Sequence, residues 1–237
     1  MHYLFLDESY PLEKGPNAII VAAWLVEQAS LNRYFSTAAD LYRTPVLDSI
    51  NSMLESLDAW AVVARADLDE NLFRAGETDG TEDIPSMARR DNVWSQCFIF
   101  IIGKLIAKLV YEGKAVGTTD IHFDPKNLKP EHAAAVRATL RNLLVQQAKR
   151  YASQLARLSG ARLPLLKKLK IRRIEPVTKA RNGQALDKFQ TGTWVADKLC
   201  SSFETIQDRH FSRIVAMDMS EVVRKTMQQF DGKSFYE

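Results

Sequence analysis

Hydrophobic positions along this chain change period several times, and the changes mark out its elements. Tyr3-Leu4-Phe5-Leu6 is apolar and meets its first charges at Asp7 and Glu8, which predicts a buried strand over residues 2–8 that ends in two acids. Gly15-Pro16-Asn17 makes a turn. Ala18–Val26 (AIIVAAWLV) is nearly continuous and rich in β-branched residues, the mark of a second, well-buried strand. Residues 31–42 and 45–57 read as helices, the second opened by Thr44-Pro45, because proline's missing N–H is no loss in a first helical turn. Ala59–Ala66 (AWAVVARA) suits a third strand.

An acidic, glycine-containing loop runs from Gly76 to Asp83, and Pro85 marks entry to a long helix, about Ser86 to Glu112. Trp94, Phe98, Ile101, Ile102, Leu105 and Leu109 recur along it at helical spacing, and Gly113 stops it. Asp120-Ile121-His122-Phe123-Asp124 alternates polar and apolar until Pro125, a fourth strand. Pro130 opens another helix, whose stripe runs through Val136, Leu140, Leu143, Leu144, Tyr151 and Leu155 to a stop at Gly160. Leu169–Val177 is a fifth strand, and the basic loop Lys179 to Lys188 leads to a helix from about Thr193 to Asp208 and a helical tail to Phe230. Three strands followed by alternating helices and strands predict an antiparallel meander continued by parallel strands through helical crossovers. The expected fold is α/β, a mixed five-stranded sheet with helices on both faces.

Composition narrows the class. At 237 residues and 46% hydrophobic content the chain can bury a sizeable core. It has no run of eighteen apolar residues, hence no expected membrane span, and its first residues lack the pattern of a secretory signal. Two cysteines, Cys97 and Cys200, sit in helix-like apolar surroundings. They form neither a disulfide framework nor a paired zinc site, and are expected as buried thiols in a cytoplasmic protein. Net charge is only +3 but unevenly spread: residues 1–91 hold 16 acids against 7 bases, while residues 133–174 hold 11 bases and no acid. That stretch either attracts polyanions, nucleic acid first among them, or is a solvated helix face balancing the acidic half.

Acids are the chemistry that this pattern singles out. A strand inside a sheet normally excludes carboxylates, because an unpaired buried charge is costly. Asp7 and Asp124 nevertheless end apolar strands, and Asp197 follows the uncharged run Phe189 to Ala196. Three acids on three separated elements point to a bound cation.

The same residues carry a resemblance. Leu4-Phe5-Leu6-Asp7-Glu8-Ser9, His122-Phe123-Asp124 and Trp194-Val195-Ala196-Asp197-Lys198-Leu199 occur in the order of three motifs of the domain-of-unknown-function 3800 family, a bacterial and phage branch of the ribonuclease H-like superfamily. Those motifs are a strand ending Asp-Glu-Ser-Gly, an Asp that ends a middle strand, and Leu-Gln-Leu-Ala-Asp-Leu in a late helix. The likeness covers residues 1–208, including a helical insertion at about 31–57, and leaves 209–237 as a C-terminal helical extension. Tyr10 stands where the family has Gly, and Trp194 where it has Gln. The resemblance implies a ribonuclease H-like fold with strands one and four adjacent, and a nuclease that hydrolyses phosphodiester bonds in DNA or RNA with Mg²⁺ or Mn²⁺. The implied catalytic residues are Asp7, Glu8, Asp124 and Asp197, with Asp7, Asp124 and Asp197 as metal ligands. Hard divalent ions suit such carboxylate oxygens. An inactive nucleic-acid-binding or protein-interaction module on the same fold is the alternative, and an acidic metal site that only staples the fold is a third reading.

Other residues have two readings each. Glu8 is a ligand if the first strand ends or bulges there, and otherwise a structural acid on the opposite face. Asp91 is either a further ligand or an acid favoured by a helix N-terminus. His122 either assists proton transfer or is a core histidine; Ser9 orients Asp7 or caps a turn. Lys179, Arg181 and Lys188 lie in the loop before the late helix, placed to grip a substrate phosphate.

Overall fold

The computed structural model describes residues 1–9, 18–37, 47–67, 84–124, 138, 141, 144–147, 150, 154, 169–177 and 186–229, with side chains described for all of these but 35–37, 84–95 and 226–229. The elements are β1 (His2–Ser9), β2 (Ala18–Glu27), α1 (Gln28–Thr37), α2 (Leu47–Ser56), β3 (Trp60–Asp67), α3 (Ile84–Tyr111), β4 (Thr118–Phe123), β5 (Lys170–Pro176), α4 (Lys188–Ser201), α5 (Phe203–Asp208), β6 (Ile214–Asp218) and α6 (Ser220–Gln229). No helix among the described residues is long and apolar enough to cross a membrane.

The six strands form one sheet in the order β5-β4-β1-β2-β3-β6. β1, β2 and β3 make the expected antiparallel meander, while β4 pairs parallel to β1 and β5 parallel to β4. β1 is therefore an inner strand, bonded on both edges and packed on both faces, which fits a run from Tyr3 to Leu6 without a charged side chain. Alternation along it divides the core. Leu4 and Leu6 pack with α3, Leu144 and Val223 of α6 on one face; Tyr3 and Phe5 pack with α1, α2, α4 and α5 on the other. The described positions between 138 and 154 are helical, and Leu144 from the expected stripe is fully buried.

α1 starts at Gln28, three residues before the expected helix, and three further differences have a visible reason. The sheet has six strands, not five: Ile214–Asp218, placed by periodicity in a helical tail, is β6 and pairs parallel to β3. A short run such as Ile-Val-Ala-Met fits a strand or a buried helical turn equally well. The late helix starts at Lys188 rather than Thr193, because Asp187 and Gln190 close a capping box: the Asp187 carboxylate accepts from the N–H groups of Phe189 and Gln190, and the Asp187 N–H donates to the Gln190 side chain. The helix also breaks at Ser202, where a tight turn separates α4 from α5. Gly113 ends α3 as expected. With φ at 83°, it lets the Gly113 and Lys114 N–H groups reach back to the carbonyls of Val110 and Leu109.

α4 lies unusually close to the sheet. A Cβ placed on Gly192 would stand 2.2 Å from the Phe5 ring, and the Gly192 carbonyl accepts from the Trp24 indole at 2.8 Å. Phe5 cannot swing away, because its ring stacks between Trp24 and His122 at 4.8 and 5.6 Å. Gly192→Ala is therefore expected to cost about 1–3 kcal/mol or more through overpacking, read as a lower urea midpoint, with Phe5→Leu in the same chain recovering part of the loss.

Candidate carboxylate site

β1 and β4 deliver two acids to neighbouring positions. Leu6 pairs with Phe123 in the parallel ladder, so Asp7 and Asp124 are the next residues on adjacent strands, whose axes run about 4.8 Å apart. Asp7 has the parity of Tyr3 and Phe5, and Asp124 that of His122, whose ring contacts Phe5 and Phe189 of α4. Alternation thus directs both acids to the α4 face. Both are buried, at 1% and 7% exposure. A carboxylate so enclosed is unfavourable unless hydrogen bonds or a cation offset the lost hydration, and the Glu8 N–H supplies one bond, 2.9 Å to Asp7 Oδ1.

α4 brings the third acid to the same face. Val195, Ala196, Leu199 and Cys200 are buried against the sheet, and half-buried Asp197 sits on the flank of that stripe. The helix is fastened on both sides of Asp197. Gly192 meets Phe5 and Trp24, and the Cys200 thiol donates to the Asp7 carbonyl at 3.3 Å and to the Ile20 carbonyl at 3.7 Å. Cys200, about one helical turn after Asp197, thus ties this part of α4 to the backbone of Asp7.

Glu8 goes elsewhere. The β1–β2 ladder continues regularly through Glu8↔Val21 and Ser9↔Ile20, so no bulge turns Glu8 toward Asp7. Its parity is that of Leu4 and Leu6, on the α3 face, and it is buried there at 6% exposure. Lys188 is the first residue of α4, not part of a loop. Its ammonium donates to Asn32 and lies over the Tyr3 and Phe189 rings, nine residues from Asp197 and so about 14 Å along the helix axis. Lys179 and Arg181 lie outside the described residues, as does the Asp91 side chain.

Among the described residues, no group of three or more His, Cys, Asp or Glu side chains is arranged to hold a metal ion. The donor chemistry fits a hard divalent cation, since Asp7, Asp124 and Asp197 offer only carboxylate oxygens on one face. The fit is one of residue type and face, with Asp197 one helix flank away from the strand pair.

Two features near the acids go beyond the sequence reading, which named a core histidine as one of two roles for His122. Asp120, at 3% exposure, is held by a bidentate pair with Arg172, so the first acid of Asp120-Ile121-His122-Phe123-Asp124 is neutralised locally while the last is delivered to the strand end. His122 is enclosed by Tyr3, Phe5 and Phe189, and its Nε2 is buried with no hydrogen-bond partner among the described residues. An aromatic every second residue on β1 was the available signal for that box.

No family model and no curated protein matches this chain. Among solved structures, it is similar to a chain of the PCNA:RNase HII complex from Archaeoglobus fulgidus, at 12% identity and a TM-score of 0.33, over 98% of this chain and 77% of that one.

Burial holds the His122 imidazole below its ordinary value of 6.5, against the opposing pull of Glu175, Asp120 and Asp187. The unfolded chain takes up this proton near 6.5 and the folded chain only at lower pH. The resulting stability is complete above about pH 6.5 and is lost as pH falls toward the folded value. His2 shifts the same way. Melting temperature should therefore drop between about pH 7.5 and 5.5, and His122→Phe should make that drop shallower. An unchanged slope in the variant would remove His122 as its source.

Proposed function

We propose that this chain is a ribonuclease H-like, divalent-metal-dependent nuclease of the domain-of-unknown-function 3800 type. One observation carries the reading: an aspartate buried to 1% exposure near the end of an inner strand, with a second buried aspartate just past the end of the adjacent parallel strand. The order β5-β4-β1-β2-β3, antiparallel in its first three strands and parallel in the next two, is that expected of the fold. β6 adds to it on the far edge.

Asp7 and Asp124 would hold Mg²⁺ or Mn²⁺, with Asp197 completing the set from α4. The ion would supply Lewis-acid stabilisation of the charge that develops on a phosphodiester under attack by water. The chain's own part is to fix two carboxylates on rigid strands, so that they need no reordering when substrate arrives. Cys200 and Gly192 set the height of Asp197 above the strand ends. Glu8, on the opposite face, has a structural role in this reading. Lys179 and Arg181 remain the proposed phosphate contacts, with Lys188 farther from the acids at the start of α4.

Divalent metal should raise the melting point, because a ligand that binds only the folded state stabilises it by about 2.7 kcal/mol at a hundredfold excess over Kd. Asp7→Asn and Asp124→Asn should each abolish cleavage of DNA or RNA and the metal-induced shift while keeping the fold. Full activity in either variant would sink the assignment. Nucleic-acid binding without cleavage in wild type, unaffected by metal, would favour the inactive binding module.

Binding to polynucleotide should weaken steeply with salt, with a log–log slope of about −0.7 per phosphate contact for single strands and −0.9 for duplex. Replacing Lys179, Arg181 and Lys188 together by Ala should flatten that slope by about two to three units. A slope unchanged by the triple replacement would place the phosphate contacts elsewhere in the chain.

A further inference from the structure

The edge strand β5 breaks the alternation of side chains at one point. Thr119 pairs with Ile171 but Asp120 pairs with Arg173, so Arg172 is an extra residue in the parallel ladder with β4, a β-bulge. In an unbroken strand Ile171 and Ile174 would point to opposite faces; here both pack into the core on the α3 face. The two residues between them, Arg172 and Arg173, are thereby carried together to the α4 face, the face of Asp7 and Asp124. Their partners agree. Arg172 grips Asp120 with two hydrogen bonds, and Arg173 reaches Glu175, which stands opposite His122 in the ladder, at 3.5 Å.

The two guanidiniums differ in what they are free to do. Arg172 is committed to Asp120, a buried acid that would otherwise be left unpaired. Closing that acid needs Arg172 alone. Arg173 is held by one ion pair between side chains 59% and 48% exposed, and water screens such a pair to little net value. Lys170 adds an exposed base to the same face of β5. Arg173 is level with Asp120, four residues before Asp124 on the neighbouring strand, and so about 13 Å from it along the strand direction. An arginine offers a planar fork of donors that matches phosphate oxygens.

We propose that Arg173 binds a backbone phosphate of the nucleic acid whose cleaved bond lies at Asp7 and Asp124, a few nucleotides from that bond, and gives up Glu175 to do so. This deepens the nuclease reading and rests on it for the identity of the ligand. Glu175 is then a competitor for the phosphate, and the substrate strand runs over the open face of β5.

The test measures binding of fluorescein-labelled oligothymidylate and oligouridylate to the full chain by anisotropy, in EDTA so that nothing is cleaved. Arg173→Ala should weaken binding about threefold to tenfold at low salt and flatten the log–log salt slope by about 0.7, with the melting midpoint unchanged because the lost pair is exposed. Glu175→Gln should tighten binding, and the gain should vanish when Arg173→Ala is combined with it; a long-range charge effect would survive in the double variant. Arg209→Ala, which removes an exposed guanidinium paired with Asp48, should change nothing. Binding indifferent to Arg173→Ala, a Glu175→Gln gain that persists without Arg173, or no binding to either polymer would each overturn the inference. Cleavage assays with metal separate it from the nuclease reading. Arg173-dependent binding without cleavage would keep the phosphate contact and remove the nuclease, while cleavage at sub-saturating substrate untouched by Arg173→Ala would do the reverse.

Discussion

The close approach of α4 to β1 is the constraint on which the rest of the structure depends. Only a residue without a side chain fits at Gly192, because Phe5 is locked between Trp24 and His122. That contact fixes the helix at one end, and the Cys200 thiol on the Asp7 carbonyl fixes it at the other. Everything proposed for Asp197 follows from this pair of fastenings. Raising the helix by the width of one methyl group would open the aromatic box, loosen the thiol contact and carry the third acid away from the strand ends.

The sheet explains why acids are tolerated so deep in the molecule. β1 is bonded on both edges, so a carboxylate near its end is enclosed by β2, β4 and α4 together. The neighbouring acid Asp120 shows the ordinary solution to such burial, a bidentate guanidinium from Arg172 on the next strand. The Asp7 carboxylate accepts from the N–H of the next residue. Asp120 lies within an inner strand and Asp7 near the end of the neighbouring one.

Much of this is legible in the sequence. Continuous apolar runs gave away β1, β2 and β3, and the acids that interrupt such runs pointed to Asp7 and Asp124. Gly113 was read correctly as the end of α3, because a positive φ there needs glycine. Short-range chemistry that overrides periodicity was less visible. The capping box at Asp187 and Gln190 moved the start of α4 and with it Lys188, and the five-residue β6 is too short to show a period of its own. The face of Glu8 depended on whether β1 bulges, which is a property of its pairing with β2 rather than of its own residues. The closeness of α4 was not legible either, since a lone glycine in a helix does not announce what it touches.

The position of β1 also sets the order in which the molecule must be assembled. β2 follows β1 directly, so the first hairpin closes over a short span, but the other edge of β1 waits for β4, more than a hundred residues later. Its α4 face waits longer still, until residues near 192–200 have been made. Through that interval the hairpin presents an unpaired apolar edge, the kind of surface that recruits other strands. Asp7 and Glu8 near the end of that edge put charge where a foreign strand would have to dock.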